Sequence, residues 1–183
     1  MGFNMSEPEE RVLRLRISGI EPESIVDGPG IRMTIFVQGC PHRCPHCHNP
    51  QTHDFNGGHF LPIQEILEMI EENDILDGIT FSGGEPFSQA EELVPLAREI
   101  KERGYNLVIY TGYLYEDLLA SSSKIPAYLE LLSFADILVD GPFIYAERTL
   151  DAPFKGSENQ RIIDVQKSLS EGHVVLFSQN NEK

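Results

Sequence analysis

Apolar residues interleave with Arg14 and Arg16 between Val12 and Ile17, the period-2 pattern of a half-buried strand with both arginines on one face. The turn Asp27-Gly28-Pro29-Gly30 leads into a second predicted strand, Ile31 to Val37. After the turn Asn56-Gly57-Gly58, Pro62 suits the first position of a helix. Ile63, Ile66, Leu67 and Ile70 then recur at i, i+3, i+4 and i+7 and mark its buried face. A short strand, Ile79 to Phe81, runs into Ser82-Gly83-Gly84-Glu85-Pro86. Ser88 with Glu91 predicts a capping box for a helix whose stripe is Leu93, Leu96, Ala97 and Ile100 and which Gly104 ends. Leu107 to Tyr110 predicts a strand, and helix is expected from Tyr115 to Leu132, broken at Ser121-Ser122-Ser123 and restarted near Pro126. Further strands are expected at Ile137 to Val139 and, after the short apolar run Ile162 to Val165, at His173 to Phe177.

Strands alternating with helices build a parallel sheet with helical crossovers. About four core strands are too few for a closed eight-stranded barrel, so the expected fold is α/β, an incomplete, open (β/α) barrel of mostly parallel strands with an N-terminal strand extension. One domain spanning 1–183 is expected, with a polar, acidic and frayed segment 1–10 and a C-terminal tail 166–183 that carries the last strand. The cysteine loop described below, the Gly-Gly-Glu turn and Thr111-Gly112-Tyr113 all follow strand C-termini, the edge where such folds place their sites.

Composition narrows the setting. The 183 residues carry a formal net charge of -15, which argues against a broad nucleic-acid surface. No apolar run is long enough to span a membrane and no signal-peptide core precedes the first strand, so a cytoplasmic protein is expected. The positive charge is uneven: Arg11, Arg14, Arg16, Arg32 and Arg43 fall in the first quarter, with histidines at 42, 46, 48 and 53. Brought together, they would give the cysteine loop a positive rim on an acidic body.

All three cysteines lie in one proline-punctuated loop, Cys40, Cys44 and Cys47, at spacing Cys-x3-Cys-x2-Cys. An odd number of thiols does not close a disulfide framework, which favours metal ligation. Two readings stand. A structural zinc site would take His46 or His48 as its fourth ligand. A 4Fe-4S cluster held by three thiolates would leave one iron without a protein ligand, a place for substrate or cofactor.

In this loop the chain resembles the radical S-adenosylmethionine superfamily, whose hallmark is the Cys-x3-Cys-x2-Cys of Cys40, Cys44 and Cys47. The resemblance implies that these cysteines hold a 4Fe-4S cluster and that its fourth iron chelates S-adenosylmethionine. Gly83-Gly84-Glu85 matches the superfamily's Gly-Gly-Glu motif, which lies against the methionine amino group; glycines admit close backbone approach, and a carboxylate complements an ammonium. Asp27-Gly28-Pro29-Gly30, Tyr110-Thr111-Gly112-Tyr113, Asp140-Gly141-Pro142-Phe143 and Gly156 to Arg161 narrow the resemblance to activating proteins of anaerobic ribonucleoside-triphosphate reductases. It implies hydrogen abstraction from one glycine of the large reductase subunit, with a flavodoxin or ferredoxin as electron donor docking on the positive rim. Thr111, Asn159 and Arg161 are candidates for the cofactor's adenosine or carboxylate, and no side chain is expected to act as a general base. Activation of another glycyl radical enzyme of the pyruvate formate-lyase type, and turnover of a free small molecule such as a carboxylated deazaguanine precursor, are the rival readings.

Overall fold

The computed structural model describes residues 12–178. The N-terminal segment expected to fray and the last residues of the tail lie outside them. Seven strands form one sheet in the order β3-β1-β2-β4-β5-β6-β7, comprising β1 (Arg14–Ser24), β2 (Arg32–Val37), β3 (His59–Pro62), β4 (Gly78–Gly83), β5 (Asn106–Tyr110), β6 (Ile137–Asp140) and β7 (Arg161–Asp164). The central strands β2, β4, β5 and β6 run parallel. Both margins are antiparallel, β3 on β1 on β2 at one side and β7 on β6 at the other. The fold is therefore a mixed α/β sheet. Among the described residues no helix is long and apolar enough to cross a membrane.

Helices α1 (Ile63–Glu71), α2 (Ala90–Glu102), α3 (Tyr115–Ser121), α4 (Pro126–Phe134) and α5 (Val165–Glu171) complete the architecture. The side-chain pattern explains where they pack. Met33, Ile35 and Val37 of β2, Ile79 and Phe81 of β4, Leu107 and Ile109 of β5 and Leu138 of β6 join the predicted stripes of α1 and α2 in one apolar core. Ile66, Ile70, Leu93 and Ile100 are wholly buried there, each worth on the order of 2 kcal/mol of transfer free energy. The alternate positions face the other way and are more polar: Arg32 and Thr34 on β2, Thr80 on β4, Tyr110 on β5.

Arg32 is only 1% exposed and satisfies its guanidinium with Thr80 Oγ1, the carbonyls of Pro29, Ile79 and Asn106, and Asn106 Oδ1. Burial pulls its pKa down to about 10, so it stays charged at neutral pH. It sits at the start of β2, the end of the strand opposite the cysteine loop, and cannot serve a rim there. Arg16 donates to the carbonyls of Asn56 and Gly57 and lies over the Phe60 ring. Arg43 is exposed on the loop itself. The expected rim thus loses Arg32 to the interior and Arg16 to the turn before β3, and Arg11 lies outside the described residues.

Three local expectations are corrected. Pro62 ends β3 and stands one residue before α1, because its missing N–H also suits the end of an edge strand. Ser88 caps nothing: Pro86 starts a 3-10 turn, Pro86–Gln89, and the carboxylate of Glu85 caps it by accepting from Phe87 N. Proline turns the chain at once, so the cap falls before Ser88. The tail first forms α5, capped by Asp164 and closed by Gly172 at φ +74°, and His173 to Phe177 after it is not a full strand: it meets β7 through one bridge, Leu176 to Ile163, flanked by Asp164 N to Val175 O and Phe177 N to Ile162 O.

Candidate functional site

Beyond Val37 the chain leaves the sheet through Gln38 and Gly39 into the cysteine loop. Gln38 is 3% exposed and donates from Nε2 to the carbonyls of Gln51 and Asp54, while its own carbonyl accepts from Gln89. Gly39 N and Cys40 N donate to Thr52 O and His53 O, so the returning limb of the loop is stapled to its outgoing limb. Arg43 and His46 adopt φ of +48° and +58°, a left-handed conformation uncommon in side-chain-bearing residues. These turns bend the loop between its cysteines.

The three thiols are free and line one cleft with Gly83, Gly84 and Thr111. The donor set fits a thiolate-held cluster. Burial pushes the Cys40 thiol up, and the backbone N–H groups of His42 and Arg43 at its sulfur oppose that shift. Cys47 Sγ receives the N–H of Asn49 at 3.4 Å. Backbone donors aimed at sulfur stabilise a thiolate, the form that binds iron. A 4Fe-4S cluster would be held by Cys40, Cys44 and Cys47.

Gly83 and Gly84 are required by packing as well as by the cleft. A Cβ on Gly83, at φ +97°, would lie 2.6 Å from Phe36 Cα, and one on Gly84 would collide with the carbonyl of Gly39. That close approach lets Gly84 N donate to Val37 O and Glu85 N to Gly39 O, both at 2.8 Å. The Gly-Gly-Glu turn is thereby hydrogen-bonded to the neck of the cysteine loop.

Glu85 is 0% exposed. Oε1 accepts from Phe87 N and Thr111 Oγ1; Oε2 accepts from Gly112 N and from His42 Nε2 at 2.7 Å. With four protein donors in place, the carboxylate ties the ends of β4 and β5 to the cysteine loop instead of turning toward a ligand in the cleft. Thr111 lines the cleft beside it.

The loop histidines are clasped by aromatic rings: His42 by Tyr113, His46 by Tyr145 and His48 by Phe143, with centroids 4.4, 4.2 and 4.7 Å apart. The sequence offers His46 or His48 as a zinc ligand but does not show these ring partners, which lie far along the chain. Gln38 carried no sequence signal at all.

Asn159 and Arg161 fall outside the residues lining the cleft, whereas Gln160 lines it. Arg161 is held by buried Asp140 and by Glu116 of α3, and its pKa is raised by hydrogen bonding first to Asp140, then to Glu116. Its side chain is consumed in an ion-pair network, which corrects its reading as a cofactor donor. Asn159 donates to Pro142 O and leaves a buried Oδ1 without a partner.

Comparison with known proteins places this geometry. A family model described as a 4Fe-4S single cluster domain matches residues 26–163. The pyruvate formate-lyase-activating enzyme of Clostridium pasteurianum is 38% identical over 130 residues, 68% of this chain and 50% of that one. The anaerobic ribonucleoside-triphosphate reductase-activating protein of Escherichia coli (strain K12) is 33% identical over 149 residues, covering 76% of this chain and 92% of that one. Its counterpart in Enterobacteria phage T4 is 30% identical over 151 residues, covering 78% and 90%. The chain thus spans half the length of the first relative and about nine-tenths of the other two. The crystal structure of QueE from Escherichia coli aligns over 54% of this chain and 53% of that one, at 19% identity and a TM-score of 0.43. A cluster-family match across Cys40, Cys44 and Cys47, with activating-protein relatives over most of the chain, means that this protein belongs to the 4Fe-4S single cluster domain family.

Proposed function

We propose that this protein is a radical S-adenosylmethionine activase that generates a glycyl radical on an anaerobic ribonucleoside-triphosphate reductase. The observation that carries the reading is the convergence of three free thiols and the Gly83-Gly84 turn on one cleft at the C-terminal edge of the parallel strands. Relatives bearing the reductase-activating name over most of both chains support it. We read the sheet as an incomplete barrel, its more polar face turned inward, and the setting as cytoplasmic, where thiols stay reduced.

Held by Cys40, Cys44 and Cys47, a 4Fe-4S cluster would supply the single electron for reductive cleavage of S-adenosylmethionine, the source of the hydrogen-abstracting radical. The protein's part is to position and to shield. In this reading the backbone of Gly83 and Gly84 receives the methionine end and Thr111 flanks it. No residue abstracts a proton, since hydrogen leaves the target glycine as an atom. Proximity and exclusion of water are what the cleft contributes.

The mouth of the cleft continues into a groove. Asp27, His48, Tyr110 and Gly156 line both, and the groove adds Ile25, Val26 and Leu150, which are 73%, 69% and 99% exposed. Apolar side chains exposed beside a radical site suit the glycine-bearing loop of the reductase, which would cover them. A flavodoxin or ferredoxin is the proposed electron donor.

The test is to mix anaerobically reconstituted protein with an anaerobic reductase, reductant and S-adenosylmethionine, and to record electron paramagnetic resonance. A glycyl doublet is expected; release of 5'-deoxyadenosine without a doublet would point to another substrate. The identity to the Clostridium enzyme favours a second reading, activation of pyruvate formate-lyase, and the same assay with that protein separates the two.

A further inference from the structure

Among the described residues, two buried side-chain polar atoms have no hydrogen-bond partner: His53 Nε2 and Asn159 Oδ1. They differ in kind. Asn159 Oδ1 is an acceptor on a residue outside the cleft lining, whereas the imidazole of His53 can donate and His53 lines the same cleft as the three cysteines.

His53 follows the 3-10 turn Pro50–Thr52, and its N–H donates to Pro50 O. Its carbonyl accepts the N–H of Cys40 at 3.2 Å, and the adjoining Gly39 N donates to Thr52 O at 2.7 Å. The backbone that carries the ring is thus fixed to the backbone that carries the first cysteine. A buried N–H without an acceptor is strongly disfavoured, and in a cleft lined by thiolates the acceptor chemistry at hand is sulfur. Cys40 and Cys47 already receive backbone donors; the ring would add a side-chain donor to the same set.

We propose that His53 donates a hydrogen bond from Nε2 to the cluster or its cysteine sulfurs and thereby raises the cluster's reduction potential. The inference rests on the cluster reading above. Reduction adds one electron and one negative charge, so an N–H donor at sulfur stabilises the reduced form more than the oxidised one. His53 is a tuning residue and takes no proton in this role.

The experiment is a redox titration of the reconstituted holoprotein, followed by electron paramagnetic resonance with photoreduced deazaflavin as reductant, on the unmodified chain, His53→Phe and His53→Gln. Phe keeps a ring and removes the donor; Gln restores an N–H. At the unmodified protein's midpoint, the reduced-to-oxidised ratio of His53→Phe is expected to fall about tenfold, a shift of about 59 mV for one electron. His53→Gln should recover at least half of it. An unchanged midpoint in a fully loaded His53→Phe overturns the proposal, as does failure of both variants to hold four irons, which would make His53 purely structural. A strong nitrogen hyperfine coupling in 15N-histidine-labelled holoprotein that disappears in His53→Phe would also overturn it, by making His53 a ligand. An unmodified chain that binds no 4Fe-4S cluster would sink the underlying reading instead.

Discussion

Glu85 Oε2 lies 2.7 Å from His42 Nε2, joining the Gly-Gly-Glu turn to a residue set between Cys40 and Cys44. The same oxygen accepts from Gly112, so one buried carboxylate ties together the loops after β2, β4 and β5. Glu85→Ala strands the N–H groups of Phe87 and Gly112 in a buried site at about 1–3 kcal/mol each. A drop in thermal midpoint and a loss of iron on reconstitution are expected together, with Glu85→Gln intermediate. Wild-type melting and four irons in the alanine variant would show that the tie is dispensable.

Arg161 belongs to the fold. Its partner Asp140 is 0% exposed and also accepts Tyr115 N, so Arg161→Met leaves a buried carboxylate without its cation. Because the Arg161 side chain is itself 31% exposed, a loss of about 3 kcal/mol is expected, at the low end for a broken buried pair. Denaturant unfolding measures it, while S-adenosylmethionine affinity, read by calorimetry, should not move. The pH dependence has a definite sign. Arg161 holds the Glu116 carboxyl below its usual range, so that contribution is present at neutral pH and is lost as pH falls through the lowered pKa. In Arg161→Met the acid limb of the stability curve should flatten.

Leu150 is 99% exposed and lines the groove that continues from the cleft. Leu150→Asp should lower glycyl radical yield on the reductase several-fold by weakening docking, with uncoupled cleavage of S-adenosylmethionine unchanged. Equal loss of both activities would argue that the groove does not meet the partner.

Arg43 is an exposed arginine on the cysteine loop itself. If an acidic flavodoxin docks there, Arg43→Glu should slow cluster reduction by flavodoxin severalfold at low salt and much less at high salt, while reduction by a small uncharged donor stays the same. An unaltered flavodoxin rate would remove Arg43 from the docking site.

Much of the fold was legible because its signals are local. The stripes Ile63, Ile66, Leu67, Ile70 and Leu93, Leu96, Ala97, Ile100 state which helix faces are buried, and Ser121-Ser122-Ser123 with Pro126 states where one helix ends and the next begins. β3 escaped notice because His59–Pro62 is a short edge strand whose pairing with Arg14 to Ile17 sets no alternating pattern of its own. The tail differs from the expected strand because Val174 to Phe177, apolar enough for one, meets β7 only around Leu176, through its bridge to Ile163 and the flanking bonds of Val175 O and Phe177 N.

The sequence by itself determined the chemistry that depends on residue type and spacing: three thiols in one loop, glycines at a strand end, and the alternation that makes a parallel core. Tertiary structure decided how each polar side chain is used. Glu85 and Arg161 look like ligand-binding residues in one dimension, but their charges are consumed by His42, Thr111, Asp140 and Glu116, contributed by distant segments. His53, one of six histidines, stands beside the cysteines with its buried Nε2 left without a hydrogen bond. The physical reason is that a side chain's covalent identity fixes what it can donate or accept, while folding across long sequence separations fixes whether a partner has already claimed it.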